Sequence, residues 1–512
     1  MSDIVTNSTR IAKNTIMLYG RMLLIMAVSL YTSRVVLNTL GVEDYGIYNV
    51  VGGVVTMFAF LHGAMVTSTQ RYLTYEFGRG DINRLKLVFS TSVHIHLVIS
   101  LIIVVLTETI GLWFFYNKMV IPDSRMTAAM WVLQISVITM VIQIMSVPYE
   151  SIIIAHEEMG IFALISVIEV VLKLAVVYLL LIGNIDKLVL YAILIAIVQL
   201  LIRLIYSYYC SHHYEETRSI KSINRPLMIE MGKFAGWNVC GNLAATLMGT
   251  GVNMLLNVFF GPVVNAARAV AVQAEGALTQ FSTNFLMAVN PQITKLYAKG
   301  DLKQMNTLLF RSSKLTFFLL LAVSLPVMVE AEVILKLWLK IVPDYTTSFL
   351  RLVLLIMLVN STSLPLQTAA AATGDVKKYQ SVIGGILLGI VPIAYIVLRY
   401  GGGPNSVFVV YLFVLIFAFI VRLYIIRPMI SLSLREYFNK VVTRCVFVFL
   451  ATLAISSLLK NVIHEGLLYS IIMCFLCVLI VVIFSYFLGL TKNEREFVNE
   501  KTNSLILKFL KR

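Results

Sequence analysis

The sequence predicts an all-α, polytopic membrane protein of about 14 transmembrane helices, in two parallel six-helix bundles followed by two further helices. Three observations lead there. The 512-residue chain is 59% hydrophobic and 13% charged, where a soluble globule has roughly 45–50% apolar and 25% charged residues. Apolar runs of about 20 residues, the length a bilayer-spanning helix needs, recur between short polar breaks. The sequence also repeats without gaps at a shift of 220 positions, which sets Lys13 on Lys233, Gly41 on Gly261, and Gly80-Asp81 on Gly300-Asp301.

The spans fall at about 15–37, 45–67, 88–114, 128–148, 161–183, 188–208, 236–258, 265–288, 315–339, 347–367, 381–399, 405–426, 441–459 and 467–489. Six of them separate the two copies of the repeat. An even number of crossings returns the chain to the same side, so the second copy has the orientation of the first. Residues 1–215 are expected to form the N-terminal bundle and 226–430 the C-terminal one, with the polar stretch Ser211–Arg225 between them. Residues 441–490 add two helices without a counterpart in the repeat. The tail, 491–512, alternates charge with Phe497, Leu505, Ile506 and Phe509. It reads either as an amphipathic helix on the cytoplasmic face, held by apolar contact and by membrane lipids of negative charge, or as a frayed, solvated tail. Two parallel bundles around a shared cleft is an architecture of secondary transporters, in which one half rocks against the other.

The formal net charge of +15 does not call for nucleic acid, because its distribution follows the membrane. With the N-terminus inside, the inner loops hold clusters such as Arg71, Arg79, Arg84 and Lys86; Arg203, Arg218, Lys221 and Arg225; and Lys295, Lys299, Lys303, Arg311 and Lys314. The outer loops hold only scattered cations such as Lys118, Arg125, Lys187 and Arg399. This is the positive-inside pattern and puts both termini in the cytoplasm. The stretch 149–160 is an exception, with acids and no Lys or Arg. The first apolar run is too long for a cleavable signal peptide. The five cysteines lie in or beside spans and read as small buried apolar residues.

Charged and amide side chains within the hydrocarbon cost roughly 2.5–3.5 kcal/mol each on insertion scales, so they face protein or water. On span 7, Asn238, Asn242, Thr246, Gly249, Asn253 and Asn257 recur at helical spacing along one face. Span 8 carries Asn265, Arg268, Glu275, Thr279 and Ser282, and span 2 carries Asn49, Gly53, Thr56, Gly63 and Thr67. Small polar residues also serve tight helix packing. Amide stripes accompanied by an arginine and an acid favour a central cavity lined by spans 1, 2, 7 and 8. Cations within spans include Arg21 and Arg34 on span 1, Lys173 on span 5 and Arg268 on span 8. Arg34 is placed to snorkel. Lys173 has Glu169 four residues before it, a spacing that can neutralise the pair.

A cavity of net positive charge selects an anion, and the planar fork of arginine suits phosphate oxygens. The expected substrate-binding residues of this cationic cavity are Arg21, Arg268, Lys173, Asn238, Asn242 and Asn253. Glu275 is the candidate for coupling to a proton or Na+, the other reading being a simple pairing with a buried arginine. No metal site and no cofactor are expected: His94-x-His96 lacks the i, i+4 spacing of helical metal ligands, and no GxGxxG, Walker motif or nucleophile elbow appears.

Leu40-Gly41-x-x-x-Tyr45-Gly46 follows span 1, Gly63 precedes Thr69-Gln70-Arg71-Tyr72, and Gly80-Asp81 opens span 3. In these motifs, concentrated in residues 11–90, the chain resembles the polysaccharide-exporter, or O-antigen (Wzx-type) flippase, family of the MOP (MATE-like) superfamily. The resemblance implies a multi-pass protein of the bacterial inner membrane. It implies a flippase of polysaccharide biosynthesis that moves an undecaprenyl-pyrophosphate-linked oligosaccharide to the periplasmic leaflet by alternating access, and works beside polysaccharide assembly proteins. Related lipid II flippases carry arginines on spans 1 and 8, and Arg21 and Arg268 lie on the matching helices. Fourteen spans fit those flippases better than the usual twelve of the O-antigen group, so O-antigen, capsule or exopolysaccharide, and lipid II-like cargoes all stay open. Two other readings compete. A multidrug antiporter of the same superfamily would typically place an acid on span 1, where this chain has arginines. A membrane glycosyltransferase or polysaccharide polymerase could use Glu43-Asp44 in the first external loop, but the repeat and the short external loops weigh against an enzyme.

Overall fold

The computed structural model describes residues 14–29, 31–32, 35–36, 39–40, 44, 47–48, 51, 59–118, 121–180, 186–218, 224–339, 342–462, 466–492, 494–496 and 499. No strand occurs among them. The helices follow the apolar runs: α1 (Asn14–Ser29), α2 (Ala59–Arg79), α3 (Ile82–Leu106), continued through a π-helical turn into α4 (Leu112–Lys118), α5 (Met126–Ala155), α6 (Met159–Leu179), α7 (Lys187–His213), α8 (Arg225–Phe260) and α9 (Pro262–Ala298). Then come α10 (Leu302–Val329), α11 (Ala331–Leu339), α12 (Thr346–Ser361), α13 (Leu364–Thr373), α14 (Lys377–Leu388), α15 (Ile390–Arg399), α16 (Pro404–Met429), α17 (Leu434–Tyr437), α18 (Thr443–Val462) and α19 (Leu467–Phe484). Among the described residues, 11 helical segments are long and apolar enough to cross a bilayer. This is the polytopic all-α architecture that the hydropathy predicts.

Several helices outrun their apolar spans. α8 has 36 residues and α9 has 37. At 1.5 Å per residue each is about 54 Å long, well beyond a hydrocarbon core of roughly 30 Å. Polar residues carry the extensions, and Asn224 begins α8 by accepting from the Leu227 amide at 2.9 Å. The repeat appears locally as the same helix–turn–helix joint. Gly80 ends α2 and Gly300 ends α9 in the left-handed region, both at φ 76°. The aspartate that follows caps the next helix: Asp81 Oδ1 accepts from the Arg84 amide and Asp301 Oδ1 from the Gln304 amide, each at 3.0 Å. Glycine fits the αL position without a Cβ penalty, and aspartate satisfies an orphan amide.

The chain forms two compact units. The first comprises Met1–Leu243, Met287–Gly300 and Gly374–Gln380; the second comprises Ala244–Leu286, Asp301–Thr373 and Ser381–Arg512. α8 and α9 therefore each contribute to both. In the first unit an apolar core joins α3, α5 and α7 through residues such as Ile103, Val132, Leu133, Ile144 and Leu188. Arg125, just before α5, clasps its edge. The guanidinium donates to Asp44 at 2.8 and 2.6 Å and to Asp186 at 2.5 and 3.2 Å. Asp186 also caps α7, accepting from the amides of Leu188 and Val189. In the second unit Lys314, 1% exposed on α10, donates to Glu494 at 2.6 Å and fixes the start of the tail. The residues 497, 498 and 500–512, with Phe497, Leu505, Ile506 and Phe509, lie outside the described residues.

The hydrogen bonds from Arg125 hold the Asp186 carboxyl below its ordinary value. Its contribution to stability is therefore complete above the ordinary aspartate range, about pH 4, and is lost as pH falls through the lowered folded value. Asp186→Asn should flatten the acid limb of a melting-temperature profile and leave the shape above pH 6 unchanged. An unaltered acid limb in thermal melts of the purified variant would exclude this linkage.

Candidate functional site

The first unit contains a cluster of half-buried charged side chains. Ser166, Glu169 and Lys173 recur at i, i+3 and i+7 on α6, and Gln199, Arg203 and Tyr206 at i, i+4 and i+7 on α7, so each set occupies one helix face. Lys173 Nζ donates to Glu169 Oε1 at 2.6 Å, and Gln199 Nε2 donates to the same oxygen at 2.9 Å. Arg21 of α1 stands with its guanidinium carbon 4.5 Å from the Phe162 ring centroid, and Tyr206, Glu169 and Glu150 are its electrostatic neighbours. Arg203 lies 4.2 Å over the Tyr149 ring and adds to the field on Glu150. Three cations thus face two carboxylates. Such a group is tolerated within a membrane helix bundle because each charge has an opposite charge or a π face nearby.

Of the predicted binding residues, Arg21 and Lys173 fall in this cluster. The Glu169–Lys173 pair forms at its i, i+4 spacing. Glu150, Gln199 and Arg203 were missed. Arg203 falls inside the predicted span 188–208 although it is grouped with the inner-loop cations, and the structure places it on α7. The signal was available in the helical spacing of polar residues on spans 5 and 6. Arg34 and Glu43 lie outside the described residues, as do Asn49, Gly53, Thr56, Gly41, Tyr45 and Gly46. Asp44, the other member of the external acid pair, is engaged by Arg125.

The α8 stripe divides. Asn238 is 5% exposed, donates to the Phe234 carbonyl at 2.9 Å and accepts from Gln380 Nε2 at 3.0 Å. That end of the stripe is packing. Asn242, Thr246 and Asn253 are exposed. At 100° per residue they stand about 120° away from a second exposed face made by Leu243, Leu247, Met254 and Val258. Ala244, Met248, Val252 and Leu256 form the buried face between. One helix therefore shows a polar exposed face and a greasy one, as expected of a helix with water on one side and acyl chains on another.

Arg268 of α9 meets the outer part of this stripe inside the second unit. Its Nη1 donates to Asn253 Oδ1 at 3.1 Å and its Nη2 to the Gly249 carbonyl at 3.0 Å. Its Nε is buried without a hydrogen-bond partner. Glu275 and Tyr411 are its charged or ionisable neighbours, and Glu275 lies two turns along α9 on the same face. The structure so brings together Arg268, Asn253 and Glu275 in one unit, and Arg21 and Lys173 in the other. His94 and His96 each turn Nδ1 back to the carbonyl four residues earlier, at 2.8 and 2.7 Å.

At the basic end of the first unit, segments from both copies of the repeat are fastened together. Glu157, 3% exposed and in the left-handed region at φ 63°, accepts from Lys295 Nζ and from Gln292 Nε2 of α9. Its carbonyl accepts from Asn14 Nδ2 at 3.1 Å. Lys295 Nζ also sits 4.3 Å from the Phe77 ring centroid. The backbones approach closely here: a Cβ on Gly78 would lie 2.9 Å from Lys295 Cα, which only glycine allows. Arg71, of the Thr69-Gln70-Arg71-Tyr72 motif, is packed beside the rings of Tyr72, Tyr75 and Phe234 at 4.4–5.6 Å. The acidic exception at 149–160 is thereby explained. Glu157 serves Lys295, and Glu158 accepts from the hydroxyls of Tyr209 and Tyr214 at 2.8 and 2.9 Å.

No protein-family model and no curated protein sequence matches the chain. Solved structures do. The chain is similar to a MATE transporter in a bent conformation, with 15% identity over 83% of this chain and 96% of that one, at a TM-score of 0.72. It is similar to a multidrug resistance MATE family transporter of the MOP superfamily in an outward-facing conformation, with 15% identity, 82% and 96% coverage and a TM-score of 0.69. The same identity, coverage and TM-score relate it to a MOP superfamily transporter from Pyrococcus furiosus, for which a reversed polarity of the binding pocket suggests a different function. At this identity the likeness establishes the fold: a multi-pass, MATE-like helical membrane fold.

If the α8 stripe borders water, Asn242→Cys and Asn253→Cys should react with a membrane-impermeant maleimide, and Leu247→Cys and Met254→Cys should react at least ~10-fold more slowly in intact membranes. Equal inertness at all four positions would make the whole stripe a packing surface.

Proposed function

We propose that this chain flips an undecaprenyl-pyrophosphate-linked oligosaccharide, a repeat unit of O-antigen, capsule or exopolysaccharide, across the bacterial inner membrane by alternating access. The observation that carries the reading is the cationic character of the polar sites: Arg268 held against Asn253 and the Gly249 carbonyl, and Arg21 held among aromatic and acidic side chains. Both guanidinium groups suit pyrophosphate oxygens. Lys173 would add charge, Asn238 would brace α8, and Asn242 and Asn253 would offer amides to the sugars. Glu275, beside Arg268, would carry the coupling proton or Na+. α1 contains no Asp or Glu over residues 14–29, which separates it from a site built for cationic drugs. The Pyrococcus furiosus neighbour is a precedent for altered pocket polarity and altered function on this fold. Membrane polysaccharide assembly proteins would be the partners, and the positive-inside pattern sets both termini in the cytoplasm.

In this reading the Glu157–Lys295 contact and the Gly78 approach close the cytoplasmic end of the first unit, and transport requires them to open. The fold likeness to multidrug MATE transporters favours the second reading, an antiporter of cationic drugs. The two differ in what a strain loses.

Arg21→Ala and Arg268→Ala should each leave membrane insertion intact and lower surface glycan display by about 10-fold or more, while drug susceptibility stays at the level of the parent strain. Normal glycan with raised drug susceptibility would exchange the first reading for the second. For the closing contact, the Cβ of any other residue at position 78 would stand 2.9 Å from Lys295 Cα, too close for this end to shut. Gly78→Ala should therefore leave membrane insertion intact and lower glycan export. Full export by a well-inserted Gly78→Ala protein would show that transport does not depend on this contact closing.

A further inference from the structure

We propose that the second unit carries a binding site for the phosphate headgroup of an anionic membrane phospholipid. A cavity of about 860 Å³ opens where the start of α10, the segment running from Ser431 through α17 into the following π-helical turn, and the beginning of the tail converge. Five cations line it: Lys303, Arg311 and Lys314 from α10, Lys440 from the π-helical turn, and Lys492 from the tail. Two carboxylates answer them. Glu494 accepts from Lys314 at 2.6 Å and faces Arg311 at 3.7 Å, and Glu436 accepts from Lys440 at 2.5 Å. Lys303 and Lys492 are exposed and have no acidic partner among the described residues. The cavity therefore holds a surplus of positive charge confined by protein walls, which a bound anion would relieve. A second, smaller cavity of about 540 Å³ shares Ser431 with it and adds Arg427.

Two features select a lipid over a free anion. The cavity sits at the ends of apolar helices, α10 and α19, so it is at headgroup depth in a bilayer. Large apolar side chains also stand exposed beside it in the chain: Phe438 two residues from Lys440, and Phe487 and Leu488 just before Thr491. They offer an acyl chain a surface that inorganic phosphate cannot use. Lys314 does not share in the attraction equally, because Glu494 neutralises it. Lys303 and Lys492, exposed and without an acidic partner among the described residues, are the side chains free to reach an incoming phosphate; Lys440 is exposed beside them but donates to Glu436. Basic pockets between membrane helices are a recurrent means of headgroup recognition, worth roughly a tenfold affinity per lysine or less at the surface.

The site is tested on the purified full chain in detergent by native mass spectrometry and thermal melts, with dioleoyl phosphatidylglycerol, dioleoyl phosphatidylcholine and inorganic phosphate added separately. The wild type should bind and be stabilised by phosphatidylglycerol alone. Lys303→Gln, Lys440→Gln and Lys492→Gln combined should weaken that binding about 10- to 100-fold. All three side chains are exposed, so the variant should melt as the wild type does without lipid; should it not, Lys492→Gln alone is measured and should weaken binding several-fold. Unchanged phosphatidylglycerol affinity in the variants, or equal stabilisation by phosphatidylcholine, would overturn the proposal. Equal stabilisation by inorganic phosphate would also overturn it and leave a site for soluble anions.

Discussion

The cost of placing charge in a low-dielectric slab governs this molecule more than any other interaction. An ion moved from water to such a medium loses several kcal/mol of solvation even after relaxation. The chain nevertheless keeps arginines, lysines and glutamates inside its helical units, and the structure shows how. Glu169 accepts from Lys173 and Gln199, Glu157 from Lys295 and Gln292, and Glu494 from Lys314. Arg21, Arg71 and Arg203 lie against aromatic rings. Burial so enforces pairing, and pairing decides which helix faces can meet. The apolar remainder of each helix is left for the acyl chains.

Pairing also distinguishes charges that hold the fold from charges that serve function. Arg125, bound by both Asp44 and Asp186, has its donors committed to the clasp. Arg268 differs, since its hydrogen bonds go to one amide oxygen and one backbone carbonyl, with Glu275 an electrostatic neighbour rather than a bonded partner. A neutral cradle positions a guanidinium without quenching it, which is the condition for attracting an anionic ligand. Lys303 and Lys492, exposed on the second unit without an acidic partner among the described residues, are likewise left unneutralised.

Much of the fold was legible in the sequence because its strongest determinants are local. Runs of about 20 apolar residues fix the spans, and the paired Gly-Asp turns at 80–81 and 300–301 have one conformation in both copies because αL backbone and amide capping are encoded in two adjacent residues. Helix ends were harder. α8 and α9 continue through polar sequence that hydropathy assigns to loops. The candidate site was legible only where its members share one helix, as with Glu169 and Lys173 or the α8 stripe. The approach of Lys295 to Glu157 spans 138 residues, and the contact of Gln380 with Asn238 spans 142. No periodicity within one segment carries such information. Asn238 shows the limit from the other side: its spacing matches that of the rest of the stripe, and its burial against Gln380, 142 residues away, is what no spacing reveals.

α9 passes from one compact unit to the other between Leu286 and Met287, and Pro291 lies in the next turn. Proline supplies no amide hydrogen and its ring crowds the carbonyl four residues back, so the helix is one backbone bond short at that level. A rod weakened at a single place flexes there first. Lys295 follows one turn beyond the proline, so the side chain that Glu157 holds lies next to the least braced turn of the helix.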